Sequence, residues 1–186
     1  MIAPNKAFGG LQEPMSRDPH ESLMTIPNYF FDASAIVKLA TAEPGSLKTR
    51  QLLVDCLFAH TSWVLIAEAL NVLKRKQLNK DLTSTEYREA VCTLSGYMRG
   101  HHLEPIDILV RDGKAQLMTN ESDVFGNVQR FPELDVADTL QLTAIRDGFL
   151  SYGLGENRTH LVTADRRLMR AAESIGIPVI MVNEDD

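Results

Sequence analysis

The chain has 186 residues, of which 44% are hydrophobic and 24% charged, enough for one domain that buries a core without staples. A net charge of -6 argues against a protein that coats nucleic acid by bulk electrostatics, but it leaves a nuclease open, because acids that bind divalent cations are compensated locally. No run approaches the roughly 18 apolar residues that span a bilayer, so no membrane segment is expected.

Residues 1–27 carry Pro4, Gly9, Gly10, Pro14, Pro19 and Pro27 among few apolar side chains. They read as an extended or flexible lead-in without the apolar stretch of a secretory signal, and residues 28–186 read as the domain. Tyr29-Phe30-Phe31 looks like a buried strand that turns at Asp32 directly into a helix. Glu43-Pro44-Gly45-Ser46 breaks that helix. A second helix is expected over Ser46 to Cys56, a second strand over Phe58 to Ser62, and a helix carrying Glu68 over Trp63 to Lys76. Cys56 and the later Cys92 lie in apolar helical surroundings with no partner at metal-ligand spacing, and read as buried free thiols of a cytoplasmic protein.

Thr83-Ser84-Thr85-Glu86 matches a capping box, and a long helix to Gly100 is expected behind it. His101 and His102 read as surface residues. A strand is then expected over Leu103 to Ile108, a helix over Leu109 to Met118, an irregular stretch over Asn120 to Glu133, and a helix from near Asp135 to Gly148. Ser151 to Asn157 reads as a loop. His160 to Ala164 reads as a strand that runs straight into a helix at Asp165, which Gly176 and Pro178 stop. Val179 to Val182 reads as a last strand, and the acidic end as a solvated tail. Strands separated by helices predict a three-layer α/β/α sandwich with a mainly parallel central sheet.

Asp32 and Asp165 each follow a strand immediately, so both leave a parallel sheet at its carboxyl edge, where open α/β folds assemble ligand sites. Glu68 and Asp138 lie early in helices and can project toward the same edge. Each acid also has a plainer reading. Asp32 and Asp165 suit helix N-caps, Glu68 suits an exposed helix face, and Asp138 with Asp135 suits a solvated one. Gathered together, carboxylates repel unless hydrogen bonds, cationic side chains or a cation compensate them. An all-oxygen set without Cys or His favours Mg2+ or Mn2+, ions that assist phosphoryl chemistry. Lys74, Arg75, Lys76 and Lys80, and Arg166, Arg167 and Arg170, flank the acids as phosphate contacts or as basic helix ends. No Gly-rich phosphate loop, Gly-x-Ser-x-Gly elbow or HExxH motif is present.

Four segments, Phe31-Asp-Ala-Ser-Ala-Ile-Val-Lys-Leu, Ala67-Glu-Ala-Leu-Asn-Val-Leu, Asp138-Thr-Leu-Gln-Leu-Thr-Ala and Leu161-Val-Thr-Ala-Asp-Arg-Arg-Leu, resemble in order the signature blocks of PIN-domain ribonucleases, especially VapC-type toxins. The Glu43-Pro-Gly-Ser turn is also similar, and the resemblance covers about residues 28–182. It implies that Asp32, Glu68, Asp138 and Asp165 are metal-binding catalytic acids, with Ser34 and Thr163 as supporting hydroxyls and Asp135 as an acid behind them. Lys38, Arg166 and Arg167 are candidate RNA phosphate contacts. The implied protein is a Mg2+- or Mn2+-dependent endoribonuclease, a homodimer, and the toxin of a toxin–antitoxin pair held inactive by a cognate antitoxin. A PIN-like module that binds RNA or protein without cutting is the alternative. The lead-in and the stretches 120–133 and 151–157 depart from the family pattern and bear on substrate and partner choice.

Overall fold

The computed structural model describes residues 27–56, 58–106, 108–111, 114–117, 121–146, 150 and 158–183. The expected lead-in, the loop over 151–157 and the acidic tail lie outside these residues. In chain order the elements are β1 (Asn28–Phe31), α1 (Ala33–Ala40), α2 (Ser46–Asp55), β2 (Phe58–Thr61), α3 (Trp63–Leu78), α4 (Ser84–Arg99) and β3 (Glu104–Pro105). They continue with β4 (Ile108–Arg111), β5 (Lys114–Leu117), α5 (Glu121–Arg130), α6 (Val136–Arg146), β6 (Thr159–Thr163), α7 (Arg166–Ser174) and β7 (Val179–Met181).

Five strands form one sheet in the order β3-β2-β1-β6-β7, and every neighbouring pair is parallel. The central strand β1 is buried along its whole length, as parallel strands covered on both faces are. Phe30, Phe31, Leu161 and Val162 are fully buried and form the middle of the core with Ile36, Leu65, Leu73 and Leu142. From β1 the chain steps through β2 to β3 on one side, whereas β6 to β7 steps the other way. Right-handed crossovers then place α1 to α4 on one face and α7 on the other, which makes three layers, α/β/α. Helix α1 packs on α2, α3 and α4, and α7 on β6 and β7. Among the described residues no helix is long and apolar enough to cross a membrane.

The capping box forms as the sequence predicts: the Thr83 hydroxyl accepts from the Glu86 N–H at 3.2 Å, and the Glu86 carboxylate accepts from the Thr83 N–H at 2.7 Å. Gly45 takes a left-handed conformation with φ of 85°, and a Cβ there would collide with the Val182 carbonyl. That turn therefore requires glycine.

Four expectations are corrected. The helix expected over Leu109 to Met118 is the antiparallel hairpin of β4 and β5, paired from Ile108↔Leu117 to Arg111↔Lys114. The sequence Asp112-Gly113 between the two runs is a two-residue hairpin signal that outweighs apolar spacing. The irregular stretch over Asn120 to Glu133 contains helix α5. Gly126 weakens that helix by about 1 kcal/mol, while packing on α6 supports it, including a buried bond of 2.9 Å from Asn127 Nδ2 to Thr143 Oγ1. Of the strand expected over Leu103 to Ile108, only the short β3 at Glu104 and Pro105 joins the main sheet, at its edge, where a proline without an N–H is tolerated, and Ile108 instead opens the hairpin strand β4. Cys92 is exposed and Cys56 half-buried, since Cys92 falls on the outer face of α4 rather than in the core.

Candidate active site

The sheet reverses its direction of travel between β1 and β6. At such a switch point the two outgoing connections diverge and leave a crevice at the carboxyl ends of the strands. Asp32 follows β1 and Asp165 follows β6, so they flank that crevice.

Both also cap helices, so the plainer reading of these two residues holds beside the functional one. Asp32 Oδ1 accepts the Ala35 N–H at 2.7 Å. Asp165 Oδ1 accepts the N–H groups of Arg167 and Leu168 at 2.6 and 3.3 Å. A cap position aims a carboxylate along a helix start, which is also the direction of the crevice.

Two hydroxyls join these acids. Ser34 Oγ donates to Asp32 Oδ1 at 2.8 Å, and Thr163 Oγ1 donates to Asp32 Oδ2 at 2.6 Å. The same two oxygens accept backbone N–H groups, Ser34 Oγ from Ala164 and Thr163 Oγ1 from Asp165, at 2.8 and 2.9 Å. Asp32 is thus orientated on both oxygens, and its support is linked through Thr163 to the backbone of Asp165.

The remaining acids come from helices. Asp138 lies in the first turn of α6, where its N–H donates to Asp135 Oδ1 at 2.8 Å. Gln141 Nε2 donates to Asp138 Oδ1 at 3.0 Å. Burial first, then the negative charges of Asp135, Asp32, Asp165 and Glu68, push the Asp138 carboxyl up to about 7. Asp138 is thus the residue on which the charges of the other acids converge. Burial also pushes Asp32 up to about 6, against the opposing hydrogen bonds from Thr163, Ala35 and Ser34. Glu68 is raised by burial and by Asp135, with Arg75 pulling the other way. Asp165 differs: burial raises it, but the N–H groups of Arg167 and Leu168 and the Arg167 guanidinium outweigh burial and hold it low.

Among the described residues, no three His, Cys, Asp or Glu side chains are grouped closely enough to hold a metal ion between them. The acids therefore share a field without closing on a point. Their chemistry nevertheless fits a hard divalent cation. Every donor is an oxygen, two carboxyls are pushed toward neutrality by burial and then by neighbouring acids, and Gln141 Oε1 is a buried acceptor without a donor beside Asp138. Mg2+ keeps several waters and is commonly held by one or two carboxylates, so a loose set suits it.

The basic residues divide. Lys38 is buried, and its ammonium donates to the Pro44 carbonyl at 2.6 Å and pairs with Glu43 at 3.8 Å. That commits it to the turn after α1 and removes it from the phosphate contacts. Lys76 is likewise paired with Glu43, at 2.9 Å. Arg166 and Arg167 are exposed, and Arg167 reaches the Asp165 carboxylate at 3.4 Å. An open cleft of about 530 Å³ runs beside the acids, lined by Glu68, Asn71, Lys74, Arg75 and Asp135.

Sequence reasoning missed Gln141 and Asn71. Gln141 had a legible signal, its position three residues after Asp138 on a helix, where Gln and Asp side chains meet. Asn71 gave none beyond sharing a helical face with Glu68.

No protein-family model matches the chain, and no curated protein matches it. The chain is similar to the crystal structure of PAE2754 from Pyrobaculum aerophilum, with a TM-score of 0.48 and 21% identity, over 83% of this chain and 91% of that one. The functional reading stands on the residues of this chain.

Proposed function

We propose that the chain is a Mg2+- or Mn2+-dependent endoribonuclease of the PIN-like kind, hydrolysing RNA phosphodiesters at the crevice between β1 and β6. The observation that carries this reading is the Asp138 carboxyl, which burial and then the charges of Asp135, Asp32, Asp165 and Glu68, from separate segments, push up to about 7. A folded protein gains nothing in stability from such repulsion, so a cationic ligand is its chemical rationale. Asp32, Asp138, Asp165 and Glu68 would hold the cation, which when bound supplies a water of lowered pKa and neutralises charge on the phosphate. Ser34 and Thr163 keep Asp32 orientated, the α7 start keeps Asp165 ionised, and Gln141 fixes the rotamer of Asp138. Arg166 and Arg167, exposed beside Asp165, are the cations that would meet phosphate oxygens. By the same resemblance the protein acts as a homodimer and as a toxin restrained by a cognate antitoxin.

The test is cleavage of an unstructured RNA by purified protein across a Mg2+ and Mn2+ titration, wild type beside Asp165→Asn. Asparagine retains the cap, so the fold survives. The reading expects metal-dependent cleavage that falls at least about 100-fold in the variant, the scale for removing one electrostatic stabiliser. Unchanged cleavage in Asp165→Asn overturns it. A second reading, a PIN-like module that binds RNA without cutting, draws on the acids not being grouped around a point. Binding without turnover at any metal concentration would select it.

A further inference from the structure

The solvent face of α3 is ordered in a way that the acid cluster does not explain. Trp63, the chain's single tryptophan, opens the helix with 55% of its surface exposed, and Val64 beside it is 47% exposed. Ala67, Asn71, Lys74 and Arg75 continue the exposed face. At about 100° per residue these six and Glu68 fill one sector of about 140°, with Trp63 at one margin and Glu68 at the other. Along the axis, Trp63 and Lys74 stand about 16 Å apart, with Glu68 between them.

Ser62 caps α3 directly after β2, so the indole sits at the carboxyl edge of the sheet, on the same edge as Asp32 and Asp165. The open cleft beside Glu68 carries Asn71, Lys74 and Arg75 on its wall, which joins the cations to the acid field. Lys74 is orientated there by the Gln77 side chain at 3.0 Å and by the Tyr87 ring, 5.3 Å from its centroid.

An aromatic ring with more than half its surface exposed, followed by an amide and two cations, has the composition of a single-strand platform: a ring on which an unpaired base stacks and cations that meet the phosphates. A protein-binding core is by contrast depleted in lysine. The net negative charge of the chain makes this localised pair of cations the more selective as a phosphate site.

We propose that this face of α3 binds single-stranded RNA, with one base stacked on Trp63 and the following phosphates on Lys74 and Arg75, so that the strand crosses Glu68. The substrate class rests on the nuclease reading, whereas the binding needs no turnover. Duplex RNA does not fit, because its bases are already stacked on one another.

Having one tryptophan makes the test direct. The full chain is titrated in EDTA, where the RNA stays intact, with a short unstructured oligouridine and with a hairpin duplex, reading Trp63 emission and filter retention together. The proposal expects saturable quenching by the single strand and none by the duplex. Trp63→Leu should weaken single-strand binding about tenfold and Trp63→Phe much less, on the scale of one base–aromatic stack. Lys74→Gln with Arg75→Gln should weaken it and flatten its salt dependence.

Retention of the RNA with unchanged emission, and with Trp63→Leu binding as tightly as wild type, overturns the proposal. Emission that follows protein concentration and ignores RNA also overturns it, in favour of a second copy on this face. The two readings separate when metal is added. Cleavage without a Trp63 response sinks the stacking alone, and a Trp63 response without cleavage sinks the nuclease alone.

Discussion

Asp165 and Asp138 stand at the starts of α7 and α6, and each adds its charge to one field, yet their proton affinities move in opposite directions. Asp165 is the cap of its helix and collects two N–H groups and a guanidinium, which hold it low. Asp138 is the third residue of its helix, where Asp135 has taken its N–H, and among the described residues the donor to its carboxylate is Gln141. Burial and surrounding acids then raise it to about 7. Both residues sit near a positive helix end, so the macrodipole does not decide between them. Donors at hydrogen-bond distance do: the capped acid is held as a charge, while the inner one is pushed toward its neutral form.

The largest effect should be the one the two acids share. Asp138→Asn should lower metal-dependent RNA cleavage at least about 100-fold, as Asp165→Asn should, although the two acids are held so differently. Near-wild-type cleavage in Asp138→Asn, measured with saturating Mn2+, would show that only the capped acid matters.

The next effect concerns pH. Folded Asp32 and Asp138 keep their protons to about 6 and about 7, whereas an unperturbed Asp loses its proton near 3.8. Folding therefore takes up protons in that interval, and the stability that results is full below about pH 4 and is lost as pH rises through 6 to 7. Asp165 contributes in the reverse sense, above its usual value, and its share is lost only in more acidic solution. The metal-free protein should melt at a lower temperature at pH 8 than at pH 5, and Mg2+ or Mn2+ should raise the melting temperature more at pH 8. A metal-free melting temperature that climbs from pH 5 to pH 8 contradicts the assignment.

The variants should also part company in stability. Asp165→Ala removes a cap and should destabilise the protein by about 0.5–2 kcal/mol. Asp138→Asn should raise the metal-free melting temperature at pH 8 and change it little at pH 5, where the native carboxyl is already protonated. The smallest change is expected from Gln141→Leu. Loss of its N–H should move the titration of Asp138 further up, visible in the carboxyl carbon shift of Asp138 by NMR.

Much of this was legible in the chain. Strand-to-helix junctions at Asp32 and Asp165, the capping box at Thr83 and the alternation of elements led to the parallel sheet and to the two edge acids, because those features are local in sequence. The segment from Leu109 to Glu133 was misread, because the β4–β5 hairpin and a helix containing Gly126 depend on pairing and packing that apolar spacing does not encode. Lys38 was misplaced for a related reason. Its helical position beyond Ser34 suggests the site, whereas the fold of the Glu43-Pro44 turn, a tertiary feature, captures its ammonium. The proton affinity of Asp138 could not be read at all, since it arises from burial in the fold and from four acids spread between Asp32 and Asp165.

The central claim is that these acids act together on one divalent cation. Calorimetric titration of Mn2+ into wild type and Asp138→Asn at pH 6.5, repeated in buffers of different ionisation enthalpy, measures binding and proton release at once. The account predicts saturable binding by wild type with net proton release, and weakened binding without that release in the variant. No Mn2+ binding by wild type, or equal affinity and equal proton release in both proteins, contradicts it.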